Sequence, residues 1–551
     1  MKIVIIGGVA GGASAAVRAR RLAEEAEIIV LERGRYVSFA NCGLPYHIGG
    51  VIPQRASLLL KTPEDFRQRF NLDVRVRHEV LAIDVQGKCI EVRDLTSGQV
   101  YRESYDRLLL STGAAPLLPP LPGIESPGVF ALRSIDDMDA ILAHIASHTV
   151  KHATVVGGGF IGLEVTEALR RRGLAVTLLE MGTQVMMPVD GEMAVPLHET
   201  LRANAVDLRL QTALQAIMPC EAGLHLTLSE GSELVSGMVI MAIGVRPESR
   251  LAQAAGLALG ASGGIRVDSG MRTSAPDIYA VGDAVEAPPF DAALPPLVPL
   301  AGPANRQGRI AADAMLGRAS HYRGSQAASV CQIFDLTVAS VGLSEKLLRR
   351  QQRPYETVFV HGPSHAGYYP HATPLSLKLI FDPRNGAILG AQAVGKEGVD
   401  KRIDVLSVAQ RAGLTVADLE HLELCYAPPY NSARDLVNQA GMLANNVLCG
   451  DTAICHVADL EQRDPARQCL LDIRSDEELA TFGTYPQARH IPLDELRARL
   501  DELPRDKEIL IGCQSGLRGH VAYRLLVQQG FRARNLTGGY ITYRRVLAAQ
   551  S

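Results

Sequence analysis

The chain lacks the cysteine spacings that small disulfide-bonded and zinc-binding domains use. Its nine cysteines are an odd number scattered over 551 residues, and no C-x-x-C pair occurs. This pattern argues against a disulfide framework, a zinc site and a thioredoxin-type motif. We therefore predict no metal site and a reducing, cytoplasmic setting.

Long apolar runs and an excess of charge are also missing. No run reaches the ~18 apolar residues of a spanning helix, and the opening MKIVIIGG has no signal-peptide cleavage site. A formal net charge of -3 gives no reason to expect nucleic acid or a membrane as a partner. With 47% apolar and 21% charged residues, the composition is that of a soluble globular protein. The length predicts roughly three to four domains.

A dinucleotide-binding pattern opens the chain. A strand over 2–6 leads into the glycine cluster 7–12, a helix over 13–23, and a strand over 28–31 that ends at Glu32. Such an order places phosphates on a helix N-terminus and an acid on ribose hydroxyls. The middle glycine of G-x-G-x-x-G falls on Val9, so the surrounding order carries the prediction, and an ordinary βαβ turn is the alternative. The candidate binding residues are Gly7, Gly8, Ala10, Gly11, Gly12, Glu32 and Arg33.

The same pattern recurs at 153–180 with a complete fingerprint. Its candidate residues are Gly157, Gly159, Phe160, Ile161, Gly162 and Glu180. A 2′-phosphate would meet a like charge at Glu180, so NADH is favoured over NADPH. Two fingerprints imply two dinucleotides and a reaction that passes electrons between them.

Three further strand ends carry candidate cofactor residues. These are Thr112 and Gly113 after an apolar strand, Gly244 after another, and Gly282 and Asp283 near 277–284. The last stretch predicts a strand, then Gly-Asp, then a helix. An acid there can hold a ribityl hydroxyl, and an N-cap Asp in a turn is the alternative.

One cysteine stands in the segment 38–46, which follows the first unit. Pro45 is typical of a first helical turn, which would place Cys42 at a helix N-terminus where the dipole favours a thiolate. A buried cysteine beside a turn is the alternative.

Over roughly residues 1–445, this order of motifs resembles the pyridine-nucleotide disulfide oxidoreductases. The resemblance implies FAD at the first unit, NADH at the second, and a homodimer formed by a third domain. We predict an α/β chain with two Rossmann-like domains, an α+β dimerisation domain and a further C-terminal α/β domain. The predicted borders are 1–115 and 246–320 for FAD, 116–245 for NADH, 321–445 for dimerisation, 446–458 for a linker and 459–551 for the C-terminal domain.

Within that family, the segment around Cys42 resembles the single-cysteine branch. The larger branch of the family, the glutathione- and lipoamide-type reductases, carries a C-x-x-x-x-C pair over the flavin. Here Cys42 stands at the first cysteine position, and His47 stands at the second. The branch contains coenzyme A disulfide reductases, NADH oxidases and NADH peroxidases, in which the cysteine cycles as a mixed disulfide or a sulfenic acid.

The resemblance also implies residues that act on coenzyme A. Tyr368 and Tyr426, with Tyr369 as a register alternative to Tyr368, would reach the partner subunit's redox cysteine, although a packed sheet corner would explain Tyr-Tyr-Pro. The implied ligands of coenzyme A are Ser14, Arg18, Arg21, Ser38, Asn41 and Arg434, with Asn41 also near the flavin. Phe70 stands where relatives often have a lysine, which puts that contact in doubt.

The tail resembles a rhodanese (sulfurtransferase) domain. A strand over 508–512 ends at Cys513, a small-residue loop follows, Arg518 stands five residues on, and an apolar helix begins at His520. Backbone N–H groups and the helix N-terminus would form an anion cradle. Phosphatases of the C-x5-R type are the alternative, and the motifs 472–474 and 490–492 favour rhodanese.

These observations predict an FAD- and NADH-dependent reductase of coenzyme A persulfide, coenzyme A disulfide or polysulfide. Cys42 would be reduced through the flavin, and Cys513 would take sulfane sulfur from a donor and deliver it. Two alternatives stay open: an NADH oxidase or peroxidase with Cys42 as a sulfenic acid, and a redox-sensing module.

Overall fold

The computed structural model describes residues 1–550. The strands are β1 (Lys2–Ile6), β2 (Glu27–Glu32), β3 (Asp73–Val76), β4 (His78–Asp84), β5 (Cys89–Asp94), β6 (Val100–Ser104), β7 (Arg107–Leu110), β8 (Ala114–Pro116), β9 (Val129–Ala131), β10 (His152–Val156), β11 (Ala175–Leu179), β12 (Val206–Arg209), β13 (Leu214–Cys220), β14 (Gly223–Leu228), β15 (Glu233–Ser236), β16 (Met238–Met241), β17 (Val245–Pro247), β18 (Ile265–Arg266), β19 (Ile278–Ala280), β20 (Val285–Glu286), β21 (Ser329–Ile333), β22 (Leu336–Gly342), β23 (Glu356–Pro363), β24 (Pro374–Phe381), β25 (Ile388–Gly395), β26 (Ile454–Cys455), β27 (Gln468–Asp472), β28 (Arg489–His490), β29 (Glu508–Gly512) and β30 (Ala533–Leu536).

The helices are α1 (Ala10–Leu22), α2 (Leu44–Ile48), α3 (Pro63–Phe70), α4 (Ile135–Ser147), α5 (Phe160–Arg171), α6 (Gly191–Ala203), α7 (Arg250–Ala254), α8 (Ala301–Met315), α9 (Glu345–Arg350), α10 (Val399–Ala412), α11 (Val416–Glu420), α12 (Leu436–Leu448), α13 (Val457–Glu461), α14 (Asp476–Phe482), α15 (Leu517–Gln528) and α16 (Gly539–Gln550). None of these helices is both long and apolar enough to cross a bilayer.

The chain folds as two compact units. The first contains Met1–Gly182 and Asn204–Ser325, and the second contains Thr183–Ala203 and the chain from Gln326 onward. Both dinucleotide fingerprints and Cys42 lie in the first unit, whereas the dimerisation and rhodanese-like regions lie in the second.

Two parallel five-stranded sheets organise the first unit. Their strand orders are β19-β7-β1-β2-β3 and β12-β11-β10-β16-β9. In each sheet the fingerprint strand is central, because β1 pairs with both β2 and β7, and β10 pairs with both β11 and β16. Strands covered on both faces are continuous apolar runs, and Ile3, Val4 and Ile5 are accordingly 0% exposed.

The first fingerprint helix begins earlier than predicted. It starts at Ala10 rather than Ala13, so Gly11 and Gly12 lie in its first turn. A Cβ added to Gly12 would lie 1.9 Å from the Gly7 carbonyl oxygen. Close packing of helix against strand therefore requires glycine there, despite its low helix propensity.

The helix predicted directly after Asp283 is wrong. Asp283 lies in a 3-10 turn, Gly282–Ala284, which runs into β20, and the next helix begins only at Ala301. Five prolines lie between them and disfavour a continuous helix, because each lacks a backbone donor: Pro288, Pro289, Pro295, Pro296 and Pro299.

The second unit contains one antiparallel and one parallel sheet. The antiparallel order is β21-β22-β25-β24-β23, and the parallel order is β26-β30-β29-β27-β28. The segment 446–458 contains β26, which pairs with β30. Helix α15 begins at Leu517 rather than at the predicted His520, which places Arg518 in its first turn.

Candidate functional site

The first glycine cluster forms a tight strand-to-helix turn closed by an acid. Gly7 has φ +96°, and a Cβ on it would lie 2.1 Å from the Ser111 carbonyl oxygen. The Glu32 carboxylate accepts the Gly8 N–H at 3.0 Å and the Gly34 N–H at 2.8 Å. No side chain caps the N-terminus of α1, where Val9 is the N-cap. Its first N–H groups suit the phosphates of a dinucleotide, and the residues fit FAD.

The second cluster repeats this geometry. Gly157 has φ +107°, and a Cβ on Gly162 would lie 1.8 Å from the Gly157 carbonyl oxygen. Glu180 accepts N–H groups from Gly158 and Gly182, both at 2.7 Å.

Gly159 shows that the second cluster has room for a ligand. A Cβ at this N-cap of α5 would meet no heavy atom within 4 Å, so packing alone does not require glycine. A bare backbone there allows a pyrophosphate to approach the helix N-terminus. Phe160 and Ile161 are the first helical residues, and the site fits NADH.

The other predicted cofactor residues lie at strand ends of the first unit. Thr112 Oγ1 donates to the Glu248 carbonyl at 2.6 Å, and the next residue, Gly113, has φ +70°. Burial raises the pKa of Asp283, with Arg133 opposing it. Two further predicted residues are glycines with positive φ, Gly244 (+124°) and Gly282 (+80°). The last predicted residue, Arg33, is exposed, and its guanidinium lies 3.8 Å from Glu79.

Cys42 lies in a 3-10 turn, Asn41–Gly43, directly before α2. Pro45 is in the first turn of that helix, as predicted. The thiol is exposed, and its Sγ donates weakly to Asn41 Oδ1 at 3.8 Å. Partial burial of the sulfur, and then the carboxylates of Glu164 and Asp283, raise the pKa of Cys42 above its ordinary value. The raised pKa is opposite in direction to the shift predicted from a helix N-terminus.

Position 47 supplies no second thiol. The imidazole Nδ1 of His47 contacts the Ile52 carbonyl oxygen at 2.6 Å, inside its own subunit. Cys42 therefore has no disulfide partner in the C-x-x-x-x-C position, and its partner sulfur must come from outside this segment.

Glu164 and Tyr46 were missed as site residues at the sequence level. Tyr46 Oη donates to Glu164 Oε1 at 3.4 Å, and burial raises the pKa of Glu164 to about 7 despite that hydrogen bond. A carboxyl group that titrates near neutrality beside a redox thiol is a functional candidate. The one sequence feature that could have indicated Glu164 is its position two residues after Gly162, the last glycine of the second fingerprint.

The predicted coenzyme A ligands divide between the units. In the first unit, Arg18 pairs with Asp313 at 2.7 Å, Ser14 Oγ donates to Asn305 at 2.5 Å, and the exposed Arg21 bonds the Val17 carbonyl of its own helix. Ser38 has φ +49°. Arg434, in the second unit, is exposed.

Tyr368 and Tyr426 are brought together, although they are 58 residues apart in the chain. Their hydroxyl groups are 2.9 Å apart, and the side chains are 76% and 48% exposed. The packed-corner alternative does not describe Tyr368. Tyr369 instead packs its ring edge against His365 at 5.8 Å.

Cys513 lies at the end of β29 inside a backbone cradle. Its Sγ accepts N–H groups from Gly516 at 3.1 Å and Gly519 at 3.2 Å, and the residue is 0% exposed. Gly516, with φ +94°, turns the loop into α15. Burial raises the pKa of the Cys513 thiol, and these N–H groups and Arg518 oppose the shift. The loop is the predicted anion cradle.

Two arginines flank this loop. Arg518 makes a two-pronged ion pair with Glu478, at 2.5 and 2.8 Å. Arg474, also 0% exposed, pairs with Asp472 at 2.7 Å and stacks 3.9 Å over the ring of Tyr540. Glu478 was missed at the sequence level because the partner of Arg518 lies 40 residues away in the chain.

A cluster of carboxylates elsewhere in the second unit holds a lysine. Asp190, Glu192 and Glu345 lie close enough to share a cation, and Lys378 Nζ lies 2.8, 2.5 and 3.4 Å from them. Burial opposes the charge of Lys378, yet these carboxylates raise its pKa above the ordinary value. The ammonium group occupies the position that a metal ion would take.

Two dinucleotide-type turns and a cysteine without a second cysteine at the C-x-x-x-x-C position are features of a dinucleotide-dependent oxidoreductase. The chain belongs to the pyridine nucleotide-disulphide oxidoreductase family, which matches residues 1–308; the dimerisation domain of that family matches 328–437. A rhodanese-like domain matches 456–545. The predicted family, fold class and cofactor pair are thus confirmed.

Three relatives resemble this chain over most of their length. A coenzyme A disulfide reductase of Staphylococcus aureus is 39% identical over 80% of this chain and 99% of its own. The structure of reduced Bacillus anthracis CoADR-RHD is 49% identical, with a TM-score of 0.97 and coverage of 99% and 98%. That of an NAD-dependent persulfide reductase from A. fulgidus is 37% identical, with a TM-score of 0.92 and coverage of 98% and 100%.

Proposed function

We propose that this chain is an FAD- and NADH-dependent reductase of coenzyme A persulfide, coenzyme A disulfide or polysulfide. One observation carries the proposal: a lone thiol replaces the family's cysteine pair in a chain that also carries a complete sulfur-binding loop. The names of the relatives, a coenzyme A disulfide reductase and a persulfide reductase, support the same substrate class.

Cys42 is the nucleophile of the proposed reaction. Its thiolate attacks a sulfur of R–S–S–R′, forms a Cys42 mixed disulfide, and releases the other half as a thiolate that takes up a proton. With a persulfide, attack on the outer sulfur leaves a Cys42 persulfide and a free thiol. FAD would be held by the first glycine cluster with Glu32 and would pass on two electrons from NADH; these would regenerate the Cys42 thiolate and release the bound half as a thiolate or hydrosulfide.

The dimer would complete the site around Cys42. Tyr368 and Tyr426 are exposed and share a hydrogen bond, so a phenol of this pair is free to protonate a leaving thiolate in a second subunit. Ser14, Arg18, Arg21, Ser38 and Asn41, with Arg434, would bind coenzyme A. Arg18 is already paired with Asp313, and Arg21 is the more accessible charge.

Cys513 would supply sulfur to this reductase. The cradle of Gly516 and Gly519 N–H groups stabilises one negative charge on sulfur, as a thiolate or a bound persulfide. Sulfane sulfur would move from a donor to Cys513 and then to the thiol of coenzyme A. The proposed domain division keeps the predicted borders up to the linker. We shorten the linker to about 449–453, because α12 ends at Leu448 and β26 begins at Ile454, so the dimerisation domain extends to 448 and the C-terminal domain begins at 454.

The test measures anaerobic NADH oxidation by the full-length protein with coenzyme A disulfide, coenzyme A persulfide and polysulfide. Mass spectrometry of the protein as purified should find coenzyme A on Cys42 and none on Cys220, an exposed cysteine of the same unit. Rapid NADH oxidation by oxygen or peroxide alone, without bound coenzyme A, would favour the NADH oxidase or peroxidase instead. Negligible turnover with every substrate would favour a redox sensor.

A further inference from the structure

The positive charges around the Cys513 loop are already neutralised within the chain. Arg518 directs Nη1 and Nη2 at the two carboxylate oxygens of Glu478. Arg474 directs Nε and Nη2 at Asp472, at 3.0 and 2.7 Å. A forked pair of this kind is strong and fixed in geometry.

The Glu478–Arg518 pair is positioned by two helix starts. Ser475 caps α14 and accepts the Glu478 N–H at 3.3 Å, which sets Glu478 at the third helical position. Arg518 is the second residue of α15, directly after the loop. The hydrogen bond from Arg518 is the main reason why the pKa of Glu478 is lowered, so the carboxylate stays charged at neutral pH.

Because both arginines are paired, the backbone N–H groups of the Cys513 loop are the donors left for an incoming anion. The Gly516 and Gly519 N–H groups both point at the Cys513 sulfur, where they match a single negative charge. A doubly charged oxoanion brings a second charge, which would have to take Arg518 away from Glu478. That exchange breaks the ion pair of Glu478, whose carboxylate keeps only the Ser475 N–H at 3.1 Å, and it costs binding free energy.

Apolar side chains are exposed on both helices that carry the Glu478–Arg518 pair. Leu517, the first residue of α15, is 66% exposed, and Phe482, the last residue of α14, is 43% exposed. Val521, one turn after Leu517, is 45% exposed. Exposed apolar side chains beside a buried thiol favour an uncharged carbon chain over a small hydrated anion.

We propose that the Cys513 loop takes sulfane sulfur from organic persulfides and selects against thiosulfate-type dianions, with Glu478 as the residue that determines this specificity. The inference rests on the proposed role of Cys513 as a sulfur acceptor. In the step, the Cys513 thiolate attacks the outer sulfur of R–S–SH. The new Sγ–S bond forms as the S–S bond of the persulfide breaks, and the electron pair leaves with R–S⁻. The proton stays with the transferred sulfur, so the charge is -1 on both sides.

The experiment measures how fast Cys513 gains one sulfur atom in the full-length protein. Two probes are used: thiosulfate, and N-acetylcysteamine persulfide, which is uncharged apart from its reacting sulfur. The protein is freed of donor and alkylated, and the Cys513 peptide is analysed by mass spectrometry. We expect the wild type to load from the persulfide at least about ten-fold faster, since the competing Glu478 contact is a hydrogen bond between charged groups.

Variants separate specificity from simple damage. Glu478→Gln frees Arg518 and should raise loading from thiosulfate by about ten-fold while changing persulfide loading less than about two-fold. Glu477→Gln removes the same charge from the neighbouring exposed position and should leave both rates unchanged. In Glu478→Gln with Arg518→Gln, the gain with thiosulfate should disappear, because the gain acts through the guanidinium.

Three outcomes contradict the proposal, and they can be told apart. Equal wild-type loading from the two donors overturns the selectivity without any variant. Equal effects of Glu478→Gln and Glu477→Gln overturn the role of Glu478. If neither donor loads Cys513 in the wild type, the acceptor role itself fails. NADH oxidation with coenzyme A disulfide would still stand as a separate measure of the Cys42 reaction.

Discussion

Cys42 and Cys513 lie two and four residues before a helix begins, yet their surroundings differ in kind. The Cys42 thiol is exposed, donates weakly to Asn41, and has two carboxyl groups nearby that add to the effect of burial. The Cys513 sulfur is buried and accepts two backbone N–H groups, which counteract burial. The pKa of each thiol is raised; several loop N–H groups and Arg518 oppose the shift at Cys513, whereas at Cys42 only a hydrogen bond from its own backbone does.

This difference matches two chemical roles. An exposed thiol without an internal cysteine partner can meet a large external disulfide. A buried sulfur in a cradle of N–H groups can hold a charged persulfide away from solvent. The paired tyrosines Tyr368 and Tyr426 would supply to Cys42, from a second subunit, the donors that Gly516 and Gly519 supply to Cys513 locally.

The largest expected effect comes from Cys42→Ser. Loss of the nucleophile should lower NADH-driven reduction of coenzyme A disulfide and persulfide by at least about 10³-fold. Anaerobic loss of NADH absorbance measures it. The exposed Cys220→Ser is the matched control and should retain full activity, and equal losses in both variants would remove Cys42 from the reaction.

Replacing the second thiol should produce a selective loss. Cys513→Ser should slow turnover with elemental sulfur or polysulfide donors by about ten-fold or more. Reduction of preformed small persulfides by NADH should be spared, because that reaction needs only Cys42. The measurement is hydrosulfide release with each substrate, and an unchanged rate with all substrates would show that the sulfur-delivery role is wrong.

Glu164→Gln should lower the pKa of Cys42, because it removes one of the two carboxylates that raise it. The carboxylate of Glu164 raises the pKa of Cys42, and the pKa of Glu164 itself is about 7. Below pH 7 the wild-type group is increasingly protonated and its repulsion fades, whereas above pH 7 it is charged. The variant should therefore increase Cys42 alkylation by about three-fold above pH 7 and little below it. Mass spectrometry of the alkylated Cys42 peptide measures the rate, and a pH-independent change would contradict the electrostatic cause.

The smallest expected effect concerns the stability of the Cys513 loop. Tyr485 Oη donates to the Cys513 carbonyl oxygen at 3.1 Å, and this oxygen also accepts the Tyr540 N–H at 2.8 Å. Since a second donor remains, Tyr485→Phe should cost only about 1 kcal/mol. Hydrogen exchange of β29 amides should report faster opening. Tyr543→Phe, whose ring packs 5.0 Å from that of Tyr485, is the control and should leave exchange unchanged.

Local patterns were sufficient for the elements that build the two dinucleotide sites. Strand β1, the acids Glu32 and Glu180, and Pro45 in the first turn of α2 were all predicted, because period, turn chemistry and capping act over a few residues. The start of α1 and the missing helix after Asp283 were mispredicted. The glycines inside α1 obey packing that distant segments impose, whereas the prolines after Asp283 were a local signal against a helix that the prediction did not use.

The sequence by itself determined the chemistry of this protein: two fingerprints, a thiol without a second cysteine, and a cysteine loop followed by a helix. Only the tertiary structure decided which charged side chains surround each thiol. Glu164 approaches Cys42 from the second fingerprint helix, and Glu478 reaches Arg518 from 40 residues away. Electrostatic interaction depends on distance in space and on burial, and neither can be read from distance along the chain.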